Sequence, residues 1–267
     1  MAIIRVDDVS KSFPTRHGTI GIMQDVTFDV KDSDFLAIVG PSGCGKSTLL
    51  RLIQGLDKPT SGSIYFHEQK VDSVARGMAM VFQNFALFPW LTVSQNVAFG
   101  LEALGWDPER IQSQVERYVN VTGLDGFEEA YPREISGGMR QRVGLARALA
   151  VEPTVLLMDE PFSALDALTA EGLREEVLQL WRDPALPPEA VVLVTHNIEE
   201  AIQLADRVIV LSRRPGHVLA EVAIDLPRPR DRKSAPFYDL TDRVYSLITE
   251  GGALPSASSG PPPPTAG

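Results

Sequence analysis

The stretch GPSGCGKSTLL, Gly40–Leu50, decides the fold. It follows the apolar run DFLAIVG (Asp34–Gly40) and opens KSTLLRLIQGL (Lys46–Leu56), with Gly55 at its end and Pro59 beyond. A buried strand that passes through a glycine-rich turn into a helix is the context a phosphate-binding P-loop requires. The glycines let successive backbone N–H groups curl around phosphate oxygens, and the helix N-terminus adds the positive end of its dipole. Gly40, Pro41, Ser42, Gly43, Cys44, Gly45, Lys46, Ser47 and Thr48 are therefore candidate residues for binding a nucleotide's phosphates. Lys46 is placed to reach the outer phosphates and Ser47 to ligate Mg²⁺.

Working outward, IIRVDDV (Ile3–Val9) and GIMQDVTFDV (Gly21–Val30) read as strands of an N-terminal antiparallel sheet, and GMAMVF (Gly77–Phe82) as another buried strand. Residues 93–150 carry helical spacing, broken at Gly105–Pro108 and Gly123–Gly126. Then TVLLMD, ALTAEGLREEVLQLW, AVVLVTH, IEEAIQLA and DRVIVLS alternate strand and helix. Such alternation predicts a parallel sheet covered by helices. The expected fold is α/β: a RecA-like P-loop NTPase core, an N-terminal antiparallel β subdomain, and an inserted α-helical subdomain at about residues 86–150.

Composition narrows the function. The 267 residues are 44% hydrophobic, enough for a sizeable core, and Lys+Arg 25 against Asp+Glu 35 gives a net charge of −10, which argues against a nucleic-acid partner. Cys44 is the single cysteine, so no internal disulfide forms, in keeping with a reducing cytosol. Its place beside Lys46 at a helix N-terminus is a setting that lowers a thiol pKa. The N-terminus shows no signal-peptide pattern, and apolar runs such as VVLV from Val191 are too short to span a bilayer, so a role at a membrane requires a partner. PRPRDRKS (Pro227–Ser234) reads as a solvated basic linker, and PSASSGPPPPTAG (Pro255–Gly267) as a disordered tail.

Three strand ends carry further candidates. TVLLMDE places Asp159 and Glu160 where a buried strand emerges, at the sheet edge where open parallel sheets bind ligands. Asp159 is a candidate Mg²⁺ ligand and Glu160 a candidate base for the attacking water. His196 ends VTH and is either a capping residue or a phosphate contact; Gln83 ends AMVFQ and is either a surface amide or a group that orients water and touches Mg²⁺. A second glycine turn, ISGGMRQR (Ile135–Arg142), opens another helix with Ser136 as its N-cap. It sits in the helical insertion, away from the strand ends, so it cannot easily share the first loop's phosphates within one subunit.

Taken in order, GPSGCGKST, VFQ, ISGGMRQR, LLMDEPFSALD and VTH are five motifs through which the chain resembles the ATP-binding subunit of an ABC transporter, over about residues 3–238. Residues 239–267 are left as a C-terminal helix and the proline-rich tail. LFPWLTVSQNVAFGL, EPFSALDALT and EEAIQLADRVIVLSRRPG are similar to the bacterial nitrate/sulfonate/taurine importer branch. The resemblance implies ATP hydrolysis coupled to solute import. It implies that Phe13 stacks on adenine, that Glu160 is the catalytic base, and that His196 holds the γ-phosphate. It also implies that Ser136, Gly137, Gly138 and Gln141 bind ATP held by a second copy, in a head-to-tail homodimer. The apolar set Phe85, Leu87, Phe88, Pro89 and Trp90 would receive a cytoplasmic helix of a transmembrane permease, itself served by a solute-binding protein. That would hold the chain at the cytoplasmic face of the inner (plasma) membrane.

The competing function, a soluble non-transport ABC ATPase, goes with paired cassettes or coiled-coil insertions, and the sequence has neither. Departures from the family pattern are Ile135 for Leu, Asn197 for Asp, the proline-rich WRDPALPPEA and a short segment between His67 and Met78; none removes a catalytic group.

Overall fold

The computed structural model describes residues 2–16, 18–183 and 188–251. Strands β1 (Ala2–Thr15) and β2 (Gly18–Lys31) form a long hairpin. With β4 (Ser61–Phe66) and β5 (Gln69–Lys70) they make a four-stranded antiparallel sheet, ordered β2-β1-β4-β5. The second sheet is built from β3 (Phe35–Val39), β6 (Met78–Val81), β7 (Val155–Asp159), β8 (Ala190–Thr195), β9 (Arg207–Leu211) and β10 (Val218–Ala223). Its order is β10-β9-β3-β8-β7-β6, parallel throughout except for β10, which runs antiparallel on β9.

All five residues of β3 are buried because both faces of the strand are covered. Phe35, Ala37 and Val39 point into one core, shared with the helices α2 (Val93–Ala103), α4 (Gly137–Ala150), α5 (Ala167–Arg182), α6 (Ile198–Leu204) and α7 (Ala235–Glu250). Leu36 and Ile38 point into the other, which holds α1 (Lys46–Gln54) and the inner face of the antiparallel sheet. The α/β architecture expected from the P-loop context is therefore the observed one. Between β6 and β7 the chain is helical: α2, α3 (Pro108–Val121), a 3₁₀ turn (Pro132–Glu134) and α4. Thr92 and Gln95 close a capping box on α2, and Asp107 with Pro108 starts α3, so the expected break near Gly105 is a cap-to-cap junction.

Two outcomes differ from the sequence reading. Strands β4, β5 and β10 carry little alternating pattern, and the sequence predicts none of them. The basic stretch Pro227–Ser234 is not a solvated linker. Arg230 donates to the carbonyls of Ala205 (2.6 Å), Leu226 (3.1 Å) and Ile224 (3.3 Å) and also to that of Ile202, while Arg228 pairs with Asp206 at 2.6 Å. The C-terminal carbonyls of a helix lack intrahelical partners, and these arginines supply them to α6. Burial, with Arg228 alongside, pushes the Arg230 guanidinium down to about 10. The expected tail, 255–267, lies outside the described residues, as does part of the proline-rich loop, 184–187.

The two sheets meet under the P-loop. Gly216, in the β9–β10 turn, donates to Ile22 O (2.8 Å) and accepts from Gln24 N (2.9 Å), pairing with β2. A Cβ on Gly216 would stand 2.3 Å from the carbonyl oxygen of Cys44. Backbone cannot yield cheaply there, and overpacking of this kind costs about 1–3 kcal/mol. Gly216→Ala should therefore lower the urea midpoint at unchanged m-value; an unchanged midpoint would show that this turn does not support the loop.

Candidate active site

The register of the parallel sheet assembles the site. Val39 pairs with Thr195, and Asp159 with Val194, so β3, β7 and β8 end on one edge. From that edge emerge the P-loop after β3, Glu160 after β7 and His196 after β8. This is where the carboxyl ends of parallel strands present ligands.

Gly43 and Gly45 adopt left-handed backbone, φ 77° and 106°, and the position a Cβ would take at Gly43 is open space. Lys46 is buried, its ammonium donating to Gly40 O (2.8 Å) and Pro41 O (3.2 Å) within the loop. The hydroxyl of Ser47 donates to Asp159 Oδ1 at 2.7 Å. A glycine-rich turn at a helix N-terminus, a buried cation and a paired hydroxyl and carboxylate fit a nucleoside triphosphate with Mg²⁺. Among the described residues no group of three or more His, Cys, Asp or Glu could hold a metal. Mg²⁺ does not need one, because phosphate oxygens and water supply most of its ligands. Phe13 is partly exposed on β1, with Lys11 Nζ 4.7 Å from its ring centroid.

Glu160 is the centre of the arrangement. Its Oε2 lies 3.0 Å from His196 Nδ1 and 3.4 Å from Gln83 Nε2, and Gln83 also donates to Ser163 Oγ at 3.1 Å. Glu160 is held at φ 46°, a left-handed backbone uncommon for a residue with a side chain. Three bonds fix that turn: Glu160 N to Val194 O (2.9 Å), and Ser163 Oγ (2.9 Å) and Ser163 N (3.2 Å) to Glu160 O. Strain of this sort persists only where the surroundings over-determine it, and it concentrates at functional sites. A cleft of about 410 Å³ opens beside Glu160 and His196. A cavity of about 570 Å³ between α2 and α3 contains none of these residues.

Sequence reasoning missed two supporting residues. Ser163 fixes both Gln83 and the Glu160 turn. Arg147 of α4 donates to Phe85 O (3.1 Å) and Ala86 O (2.7 Å), pinning the loop after Gln83 where both residues have positive φ. The arginine run of α4 (Arg140, Arg142, Arg147) was the available signal.

Ser136 is exposed and caps α4, accepting from Met139 N at 3.2 Å. Gly138 packs so closely on α5 that a Cβ would lie 2.4 Å from Thr169 Cγ2. Among the described residues no hydrogen bond joins Ser136–Gly138 to Gly40–Thr48. Gln141 must be corrected: it is 1% exposed and cannot reach a second copy's nucleotide. Five residues along a helix is a rotation of about 140°, which turns its side chain away from the face of Ser136. The Cys44 thiol is corrected too. It is 1% exposed within the core under the loop, and burial pushes its pKa up against the opposing charge of Lys46. Only its backbone belongs to the cradle.

Burial also pushes the Asp159 carboxyl up, with the Ser47 hydrogen bond working against it and the neighbouring Glu160 adding to it. A carboxyl whose folded pKa lies above its unfolded value costs stability when ionised. That cost appears as pH rises through the unfolded value and is complete above the folded one. Asp159→Asn without Mg²⁺ should therefore be at least as heat-stable as the parent near neutral pH. Mg²⁺-dependent stabilisation by ATP should fade in mild acid for the parent and be lost in the variant. Undiminished Mg²⁺ dependence in Asp159→Asn would contradict the assignment.

Comparison with known proteins identifies the family. The family profile described as ABC transporter matches residues 23–163. The chain is 39% identical over 251 residues to an aliphatic sulfonates import ATP-binding protein, SsuB, of Bacillus cereus, covering 94% of this chain and 98% of that protein. It is 42% identical over 254 residues to the nitrate import ATP-binding protein NrtD of Synechocystis sp., covering 92% and 94%. A solved dimeric structure of a post-hydrolysis state of the ATP-binding cassette MJ0796, bound to ADP and Pi, is 31% identical with a TM-score of 0.73, covering 84% of this chain and all of that one. The chain with its P-loop, Glu160 and His196 on one sheet edge thus belongs to the ABC transporter family, as an ATPase cassette.

Proposed function

We propose that this chain energises the import of a small solute of the nitrate, sulfonate or taurine kind, as a homodimer on the cytoplasmic face of a membrane permease supplied by a solute-binding protein. The observation that carries the ATPase part is the convergence of Gln83 and His196 on Glu160 Oε2, beside the buried ammonium of Lys46. The importer part is supported by the sulfonate and nitrate relatives, and no helix among the described residues is long and apolar enough to cross a membrane.

In this reading the P-loop amides and Lys46 hold the β- and γ-phosphates, and Phe13 stacks on adenine. Ser47 and Asp159 hold Mg²⁺ with Gln83 beside them; when bound, the metal neutralises charge on the phosphate oxygens. Glu160 takes a proton from the attacking water, which Gln83 orients. His196 donates to the γ-phosphate and keeps Glu160 aimed. Ser136 and the amides of Gly137 and Gly138 complete the site of a second copy. Leu168, 87% exposed at the start of α5 next to this face, is the apolar residue such an interface would cover. Leu87 packs inward, whereas Trp90 is 69% exposed and the ring of Phe88 packs at a tilt against Phe99 (4.3 Å) and Trp90 (5.7 Å), an aromatic surface for the permease helix.

Glu160→Gln keeps shape and polarity but removes the base. Turnover should drop by about 10²–10⁴ while ATP binding survives, and an ATP-stabilised dimer should accumulate. Near-parental turnover would reject the role of Glu160.

A further inference from the structure

His196 is held by little of its own. Its side chain is more than half exposed, and among the described residues its side-chain hydrogen bond is to Glu160. Its backbone is set between the end of β8 and the first turn of α6, where Asn197 is the N-cap and accepts from Glu200 N at 3.2 Å. A helix of seven residues has little stability of its own, so its placement depends on outside contacts.

Ala201, Ile202 and Leu204 seat its apolar face in the core, and the polar contacts of its outer face come from α5 and from the arginines after β10. On the side of α5, Glu171 accepts from Gln203 Nε2 (3.0 Å) and Arg174 donates to both Glu171 (2.7 Å) and Glu200 (3.3 Å). Arg228 and Arg230 grip the C-terminal end of α6. Arg232 reaches its first turn, pairing with Glu199 and, at 3.0 Å, with Glu171 of α5. The segment 228–232 thus contacts both ends of α6.

We propose that Arg232 is a positioning residue of the ATPase centre: by tying the first turn of α6 to α5, it sets His196 against Glu160. Helix α7 begins at Ala235, three residues on, so the same contact joins the C-terminal helix to the catalytic edge. The inference rests on the reading of Glu160 and His196 above.

Arg232 is partly exposed, and Glu171 keeps Arg174 and Gln203 as partners, so removing Arg232 should leave the fold intact. Arg232→Ala should lower kcat for ATP by about 2- to 30-fold, the range for couplings carried by packed networks, with KM unchanged. Arg232→Lys should recover most of the loss. In the full chain, the ring CH cross-peak of His196, assigned through His196→Ala, should be single and sharp in the parent and broadened or split in Arg232→Ala. Glu199→Gln, which removes the same contact from α6, should do likewise, and it serves if the arginine variant fails to fold. An unchanged His196 cross-peak and unchanged kcat in a folded variant would overturn the proposal. Parental turnover in His196→Ala would instead reject the catalytic role of His196, while the cross-peak would still show whether Arg232 orders the ring.

Discussion

Everything in this molecule depends on the parallel register of β3, β8 and β7. Pairing Val39 with Thr195 and Asp159 with Val194 brings three strands to an end on one edge. Glu160 and His196 lie about 120 and 156 positions downstream of the P-loop's first glycine, yet the register brings all three together there. A one-residue slip in β7 would invert every side chain of that strand between the two cores and turn Asp159 away from Ser47. The two cores prevent this, because Leu156 and Met158 of β7 are committed to one core and Val155 and Leu157 to the other.

Upon that register the site adds a second layer of constraint. Lys46 is buried and engaged with loop carbonyls, Asp159 is buried against its tendency to ionise, and Glu160 occupies a left-handed backbone held by Val194 and Ser163. Each is an unfavourable local state kept in place by neighbours, as expected where binding and chemistry rather than stability shape the residues. Arg147 and Arg232 are the outer members of this layer. One pins the loop that carries Gln83 from the side of α4, the other pins the helix that follows His196.

Much of this was legible in the sequence, for physical reasons. DFLAIVG into GPSGCGKST joins a strand, a turn and a helix within a short span, so local pattern alone predicts the P-loop and the α/β core. Asp159, Glu160 and His196 were legible because polar residues end apolar strand runs. What could not be read was anything fixed by long-range contact. PRPRDRKS has the composition of a solvated linker, and only the carbonyls of α6 and the carboxylates of Glu171 and Glu199 make it a clasp. Cys44 lies in a motif that lowers thiol pKa, but its side chain faces the core rather than the cradle. Gln141 sits in the second glycine motif, yet helical periodicity turns it inward.

In the proposed reading, the second glycine motif completes the site of a second copy. Ser136 and its amides cap α4 on an exposed face beside α5, apart from the loop that would hold phosphate in the same chain. The most direct test of this account mixes two variants, Lys46→Ala and Ser136→Arg, each of which breaks both sites of its own homodimer. In the mixed dimer one interface carries both lesions and the other carries neither. The account predicts an ATP-stabilised heterodimer that neither variant forms alone. No such species after demonstrated subunit exchange would mean that the two glycine motifs serve a single chain, and would contradict the account.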